Sequence, residues 1–379
     1  MSTIGDDPTV PFQRDGEQRT AAALPSRDRA TLLITPALHP GPARASGRRL
    51  RGLRRLPWPM LAGGAALLPR TARAEVPTPF LPASPQAAAI ADLFWLIIGI
   101  ATVIFIGVMA VLLYASFAYR ERPGRQPAQF AGNLPLEITW TGLPTLLLLI
   151  IFILTIRTMS RTSPPAGDPL EITVVAHQWW WEIRYPEGFS TANEIHVPVG
   201  EPVLIHLESA DVIHSFWVPQ LAGKTDANPG HHRLVWFTPT RVGTFAGQCA
   251  EFCGVQHTWM LIRVVVETPT AYQAWVRHER GPAATPTGLA LRGKQVFDQQ
   301  ACGSCHTIAG TAANGVAGPD LTHVASRATI GGGVLPNTPE AMRRWLTDPQ
   351  AVKPGALMPN FKLTPTDLDA LTAYMNSLR

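Results

Sequence analysis

The sequence predicts a multidomain membrane protein: a two-helix transmembrane hairpin, an all-β domain of Greek-key barrel type, and an all-α C-terminal domain. Three observations carry this. Two uncharged apolar runs, residues 93–119 and 138–156, lie close together, each near or beyond the roughly 20 residues that cross a bilayer. From Leu170 the apolar pattern changes to alternation, broken by Gly and Pro, as in short strands of a sandwich or barrel. Beyond a Gly/Pro/Thr linker at 281–288, a helical pattern returns around Cys302-Gly303-Ser304-Cys305-His306.

The first 74 residues read as a leader. They carry twelve Arg against five Asp or Glu, whereas the remainder holds 20 basic and 22 acidic residues. The overall charge of +5 therefore gives no reason to expect a nucleic-acid surface. Residues 1–45 have a disordered composition. The basic stretch 48–55, the weakly apolar 58–68 and Ala72-Arg73-Ala74 resemble an export signal cleaved before Glu75. An uncut disordered tail is the alternative.

The hairpin is expected over 85–160. Arg120, Arg122 and Arg125 lie between the spans, which puts that loop in the cytoplasm and both ends outside. Arg157 and Arg161 weaken the asymmetry.

The β-domain is expected over 168–268. Ile172, Val174 and Ala176 share one face of the first strand, and similar runs recur at 194–199, 203–208, 233–238, 244–248 and 260–267. Between the last two lie Cys249, Cys253, His257 and Met260, with His214 upstream. Thiolate, imidazole and thioether form a soft ligand set that suits copper rather than magnesium or calcium. Two cysteines in one loop suggest two bridged coppers. A Cys249–Cys253 disulfide and a thioredoxin-type copper chaperone are the alternatives. His196, His206, His231, His232 and His278 have no ligand spacing.

The last segment, 281–379, centres on Cys-x-x-Cys-His, the attachment motif of c-type haem. Cys302 and Cys305 would form thioethers and His306 would bind the iron. A redox pair or zinc knuckle leaves the adjacent histidine without a role. Met358, in Leu357-Met358-Pro359, is the candidate sixth ligand. Met342 and Met375 fall in helical patterns. Thr364-Pro365-Thr366-Asp367 opens a last helix.

At these residues the chain resembles subunit II of the haem–copper cytochrome c oxidases, in the caa-type form with a fused cytochrome c domain. The resemblance covers about residues 85–379 and implies a cupredoxin-like barrel and a class I cytochrome c fold. It implies a dinuclear copper A in which Cys249 and Cys253 bridge the metals. His214 and Met260 would complete one copper, and His257 with the Glu251 carbonyl the other. The Glu251 side chain would reach a magnesium shared with subunit I. Trp179 takes the place of an exposed residue through which electrons enter, and Asp211 that of an acidic residue facing subunit I. Residues 224–230 match a segment near that interface. Glu137 takes the place of a glutamate at the mouth of a proton pathway, an interfacial carboxylate being the plain alternative. Expected partners are subunit I, other oxidase subunits, and cytochrome c or a cytochrome bc complex as donor. The expected location is the inner or plasma membrane, as a multi-pass protein with both redox domains on the outer face. A copper-A nitric oxide reductase subunit and a membrane-tethered electron carrier are the competing functions. A quinol oxidase subunit would lack the copper cysteines.

Overall fold

A computed structural model describes residues 77–379, except 125, 127, 130, 165 and 166. The leader, its Ala72-Arg73-Ala74 motif, Glu75 and Arg125 lie outside the described residues.

Helix α1 (Pro85–Ala118) has 34 residues, so it is about 51 Å long at the usual rise. That exceeds the roughly 30 Å of a bilayer core. The helix begins well before the uncharged run because its start is set by a cap, not by hydropathy. Ser84 Oγ accepts from Ala87 N–H at 2.9 Å, and Pro85 fills the first helical position, where its missing donor has no consequence. The base of α1 is anchored on the β-domain. Ala83 N–H donates to Gln220 O at 2.7 Å, and Gln86 Oε1 accepts from Thr238 N–H at 3.2 Å. Gln86, Ala87 and Ala91 are buried there, while large apolar side chains from Trp95 to Phe117 are exposed.

Helix α2 (Leu134–Arg161) is the second long apolar helix. Its threonine hydroxyls, at 145, 155 and 158, donate back to carbonyls four residues earlier. That satisfies them without water, as a membrane interior would require.

The β-domain is a sandwich of two five-stranded sheets. Its strands are β1 (Leu170–His177), β2 (Trp180–Arg184), β3 (Ser190–Ala192), β4 (Glu194–Pro198), β5 (Val203–Ser209), β6 (His214–Trp217), β7 (Thr225–Ala227), β8 (Arg233–Phe237), β9 (Gly243–Cys249) and β10 (Leu261–Glu267). One sheet runs β3-β2-β1-β5-β8 and the other β4-β10-β9-β6-β7. Pairs β1–β5 and β4–β10 are parallel. Ile172, Val174 and Ala176 point inward as their alternation requires, against Ile183, Ile205 and Val264. Trp181 is fully buried and meets Phe216 edge-on at 5.7 Å. Helix α3 (Pro269–Glu279) closes one side, adding Tyr272 and Val276 to this core.

The C-terminal domain is helical. Helix α4 (Gly288–Gln299) packs on the last helix, α7 (Pro365–Ser377), through Val296, Phe297, Leu371 and Tyr374. Between them lie a two-stranded ribbon, β11 (Thr329–Ile330) with β12 (Leu335–Pro336), and helices α5 (Pro339–Thr347) and α6 (Pro349–Val352). Thr364 Oγ1 caps α7 through Asp367 N–H at 3.2 Å, the role its Thr-Pro start predicts.

Candidate functional site

Strands β6 and β9 pair antiparallel with Phe216 opposite Cys249. That register sets His214, at the start of β6, beside Cys249, at the end of β9. The chain then loops over the sheet end through a 3-10 turn at His257–Trp259 and returns at Met260. Backbone bonds hold the loop mouth: Cys249 N–H donates to Met260 O at 2.9 Å, and Ala250 N–H to Ser215 O at 2.9 Å.

Six soft or carbonyl donors converge here, five from the loop and His214 from β6. The two Sγ atoms are 3.8 Å apart, nearly twice the ~2.05 Å of a disulfide, and both cysteines are free. Cys249 Sγ lies 3.9 Å from His214 Nδ1 and 3.2 Å from Glu251 O. Cys253 Sγ lies 3.8 Å from His257 Nδ1 and 4.0 Å from Met260 Sδ. His214 and Met260 are wholly buried, and each cysteine is 3 % exposed. These separations leave room for metal between donors whose own metal bonds run roughly 2.0–2.3 Å. Sulfur and imidazole with little water is the donor set of a soft metal such as copper.

The two thiols share protons unequally. The hydrogen bond from Cys253 pulls the Cys249 thiol down to about 3, while Cys249 pushes the Cys253 thiol far above its ordinary range. A cation held by both sulfurs must displace whatever proton the pair retains. Burial lowers the His214 pKa, but its bonds to Cys249 and Asp211 outweigh burial and hold it above the ordinary value. Asp211 Oδ1 lies 2.7 Å from His214 Nε2. With the proton on Nε2, Nδ1 turns its lone pair towards the sulfurs, as in the carboxylate–histidine pairs that orient metal ligands.

Trp179 lies against the same loop. Its Nε1–H donates to Cys253 O at 2.9 Å, and Gln178 Nε2–H donates to that carbonyl at 2.8 Å. Trp179 is partly buried rather than exposed as the resemblance implies, and its own carbonyl accepts from Lys353 Nζ of the C-terminal domain at 2.9 Å. Glu251 exposes its side chain while its carbonyl faces Cys249. In residues 224–230, β7 pairs with β6, with Ala227 opposite His214. Glu137 stands apart from this site. Its Oε1 accepts from Asn133 N–H at 3.2 Å, while Asn133 Oδ1 accepts from Leu136 N–H at 3.2 Å. This is a reciprocal helix cap, a local task for a carboxylate also read as a proton-pathway residue.

In the C-terminal domain buried Cys302 opens a 3-10 turn (Cys302–Ser304) and exposed Cys305 directly follows it. His306 Nδ1–H donates to Pro319 O at 2.7 Å, which leaves Nε2 as the free nitrogen. Burial lowers the His306 pKa, favouring the neutral ligating form. A Cβ at position 318 would come within 2.6 Å of the His306 ring, so glycine lets that loop flank it. These features fit a covalently held haem with an oriented proximal imidazole. Met358 is partly buried on a loop against the cluster that includes Cys302. Gln350 Nε2 fixes this loop through Ala356 O at 2.5 Å and Met358 O at 3.3 Å. Met342 and Met375 are each 3 % exposed in that core.

Sequence reasoning did not single out Gln178, Gln256 or Lys353, or give Asp211 its bond to His214. The three-residue spacing of Asp211 and His214 was a usable signal. Lys353 had none, since its acceptor is 174 positions away. The five histidines without ligand spacing have ordinary partners: His196 with Glu194 and Glu267, His206 with Glu171, His232 with Glu208, His231 with Pro229 O, and His278 with Ser326.

Comparison with known proteins adds three family matches along the chain. Residues 80–157 match the transmembrane domain of cytochrome c oxidase subunit II, residues 188–268 its periplasmic domain, and residues 290–379 cytochrome c. Cytochrome c oxidase subunit 2 of Alkalihalophilus pseudofirmus is 38 % identical over 309 residues, covering 79 % of this chain and 90 % of the relative. The subunit 2 of Bacillus subtilis is 32 % identical over 330 residues, covering 79 % and 92 %. The crystal structure of the periplasmic domain of cytochrome oxidase subunit II from Bradyrhizobium japonicum is 32 % identical and covers 31 % of this chain and 97 % of its own, with a TM-score of 0.30. With a soft-donor loop, a haem-attachment motif and two membrane-length helices in one polypeptide, the chain belongs to the cytochrome c oxidase subunit II family.

Proposed function

We propose that this chain is the membrane-anchored electron-transfer subunit of a haem–copper terminal oxidase, and that it feeds subunit I, where oxygen is reduced to water and protons are translocated. The observation that carries the reading is the convergence of Cys249, Cys253, His214, His257, Met260 and the Glu251 carbonyl, in a chain that also carries Cys-x-x-Cys-His. When bound, dinuclear copper A and haem c supply one-electron redox chemistry. The protein's part is to hold both groups rigidly. Cys249 and Cys253 would hold the coppers through their thiolates, Asp211 orients His214, and the buried walls exclude water. Cys302 and Cys305 would anchor the haem covalently, and His306 and Met358 would hold its iron. Trp179 is the residue through which electrons reach the copper loop. Glu251 adds a carboxylate for magnesium at the subunit I face, and Glu137 stands at the mouth of a proton pathway. The external donor is cytochrome c or a cytochrome bc complex. The nitric oxide reductase and free-carrier readings have no comparable support, because the relatives matched over most of their length are oxidase subunits.

Metal and haem analysis of the purified complex tests this reading. The expected result is a dinuclear copper site and one covalent haem c per copy of this chain. Zinc in the loop, or a haem released by acid acetone, would defeat it.

The domains are placed as a leader at 1–74, a hairpin at 85–160, a copper domain at 168–268 and a linker with cytochrome c domain at 281–379. Both redox domains face the outside of the inner or plasma membrane. The even number of spans and the arginines at 120 and 122 support this orientation. Thr285 lies in an exposed stretch without secondary structure, so protease added to intact spheroplasts should cut there. Cleavage only after lysis would reverse the topology.

A further inference from the structure

The C-terminal domain meets the copper loop through contacts that the redox reading does not use. Lys353, just after α6, is 4 % exposed, and its Nζ donates to Trp179 O at 2.9 Å. Gln256, between Cys253 and His257, is 1 % exposed. Its Nε2 donates the other way, to Lys353 O at 2.8 Å and Pro354 O at 2.5 Å. Each domain thus inserts one side chain into the other's backbone. Leu261 N–H, next to Met260, adds a bond to Gly332 O at 3.0 Å.

The backbones are shaped for this approach. Gly332 has φ +75°, and a Cβ there would lie 3.1 Å from Trp179 O and 3.3 Å from Trp259 O. A Cβ on Gly333 would lie 2.8 Å from Leu261 Cβ. Burial lowers the Lys353 pKa to about 8, so the ammonium is held at a cost. A buried charge with a single carbonyl acceptor is a poor device for stability. Its value lies in fixing one geometry.

We propose that Lys353 and Gln256 are positioning residues that latch the C-terminal domain onto the copper loop at Trp179, so that Trp179 faces this chain's own haem-binding domain rather than a separate donor protein. The proposal rests on the two-centre reading above.

Hydrogen exchange on the full chain in its purified complex tests the latch, with copper and haem content measured on the same samples. In Lys353→Met, exchange of the Leu261 amide should speed up by about tenfold to a hundredfold, the range for losing a hydrogen bond to a charged group. The amides of α4, α7 and β5 should keep their protection, and intrachain electron equilibration after rapid reduction should slow. Gln256→Leu, on the other domain, should give the same local change. It decides the matter if Lys353→Met unfolds the C-terminal domain. Unchanged Leu261 exchange in Gln256→Leu and in a folded Lys353→Met would overturn the latch. Missing copper or haem c in the unsubstituted complex would instead overturn the two-centre reading, and the exchange data would still judge the latch.

Discussion

Cys253→Ser is expected to abolish the dinuclear copper site, with copper content falling by about half or more and the loop's visible absorption lost. The reason is the position of this one sulfur. Cys253 Sγ lies 3.8 Å from Cys249 Sγ, 3.8 Å from His257 Nδ1 and 4.0 Å from Met260 Sδ. Serine replaces a polarisable thiolate with a hydroxyl that stays protonated near neutral pH and is a hard donor, poorly matched to copper. Only one bridging thiolate, Cys249, would remain to hold two metals. Cys249→Ser should act alike, because Cys249 Sγ meets His214 Nδ1 and Glu251 O. The sandwich should survive both changes, since its core is built from Trp181, Phe216, Phe245 and the strand aliphatics. Metal analysis beside circular dichroism separates the outcomes. A folded Cys253→Ser domain with the unsubstituted copper content and spectrum would show that Cys253 is not a ligand.

The copper loop was legible in the sequence because most of its donors are consecutive features of one loop. Residues 249, 253, 257 and 260 are close in the chain, so spacing alone reveals them. His214 was legible for a different reason: it lies in a short motif, and the β6–β9 register that delivers it is the ordinary consequence of neighbouring antiparallel strands. Strands β4, β5, β8, β9 and β10 follow period-two runs of adequate length. β3, β6 and β7 are three or four residues long, too short for alternation to declare itself. The uncharged run begins eight residues after α1 does, because hydropathy marks where a helix becomes lipid-compatible, whereas Ser84 and Pro85 mark where it begins. The contacts of Lys353 and Gln256 were not legible. They are single polar bonds between residues roughly a hundred or more positions apart, and no local pattern encodes them. Trp179 shows the same limit, since a family position specified its ring but not the C-terminal domain that covers its backbone.

Met358→Leu is expected to leave the haem covalently attached and to lower its reduction potential by on the order of 0.1 V, a modest part of the roughly 0.8 V that axial ligands span. Attachment depends on Cys302, which opens its own 3-10 turn, and Cys305, which directly follows it. The proximal side depends on His306, which Pro319 O orients at 2.7 Å. Neither involves the Met358 loop. A thioether on the sixth position stabilises reduced iron and raises the potential, and leucine offers no donor. The near-infrared sulfur-to-iron charge-transfer band of the oxidised protein should disappear. Leucine is close to methionine in volume, so packing should change little. The two other candidates differ in setting: Met342 and Met375 lie inside α5 and α7, in the buried core. Met358 lies on a loop that Gln350 fixes, partly buried and able to present its sulfur. If the charge-transfer band persists in Met358→Leu, the sulfur comes from another methionine and the loop is not the distal one. If the band disappears and the potential falls while the haem stays attached, Met358 is the ligand.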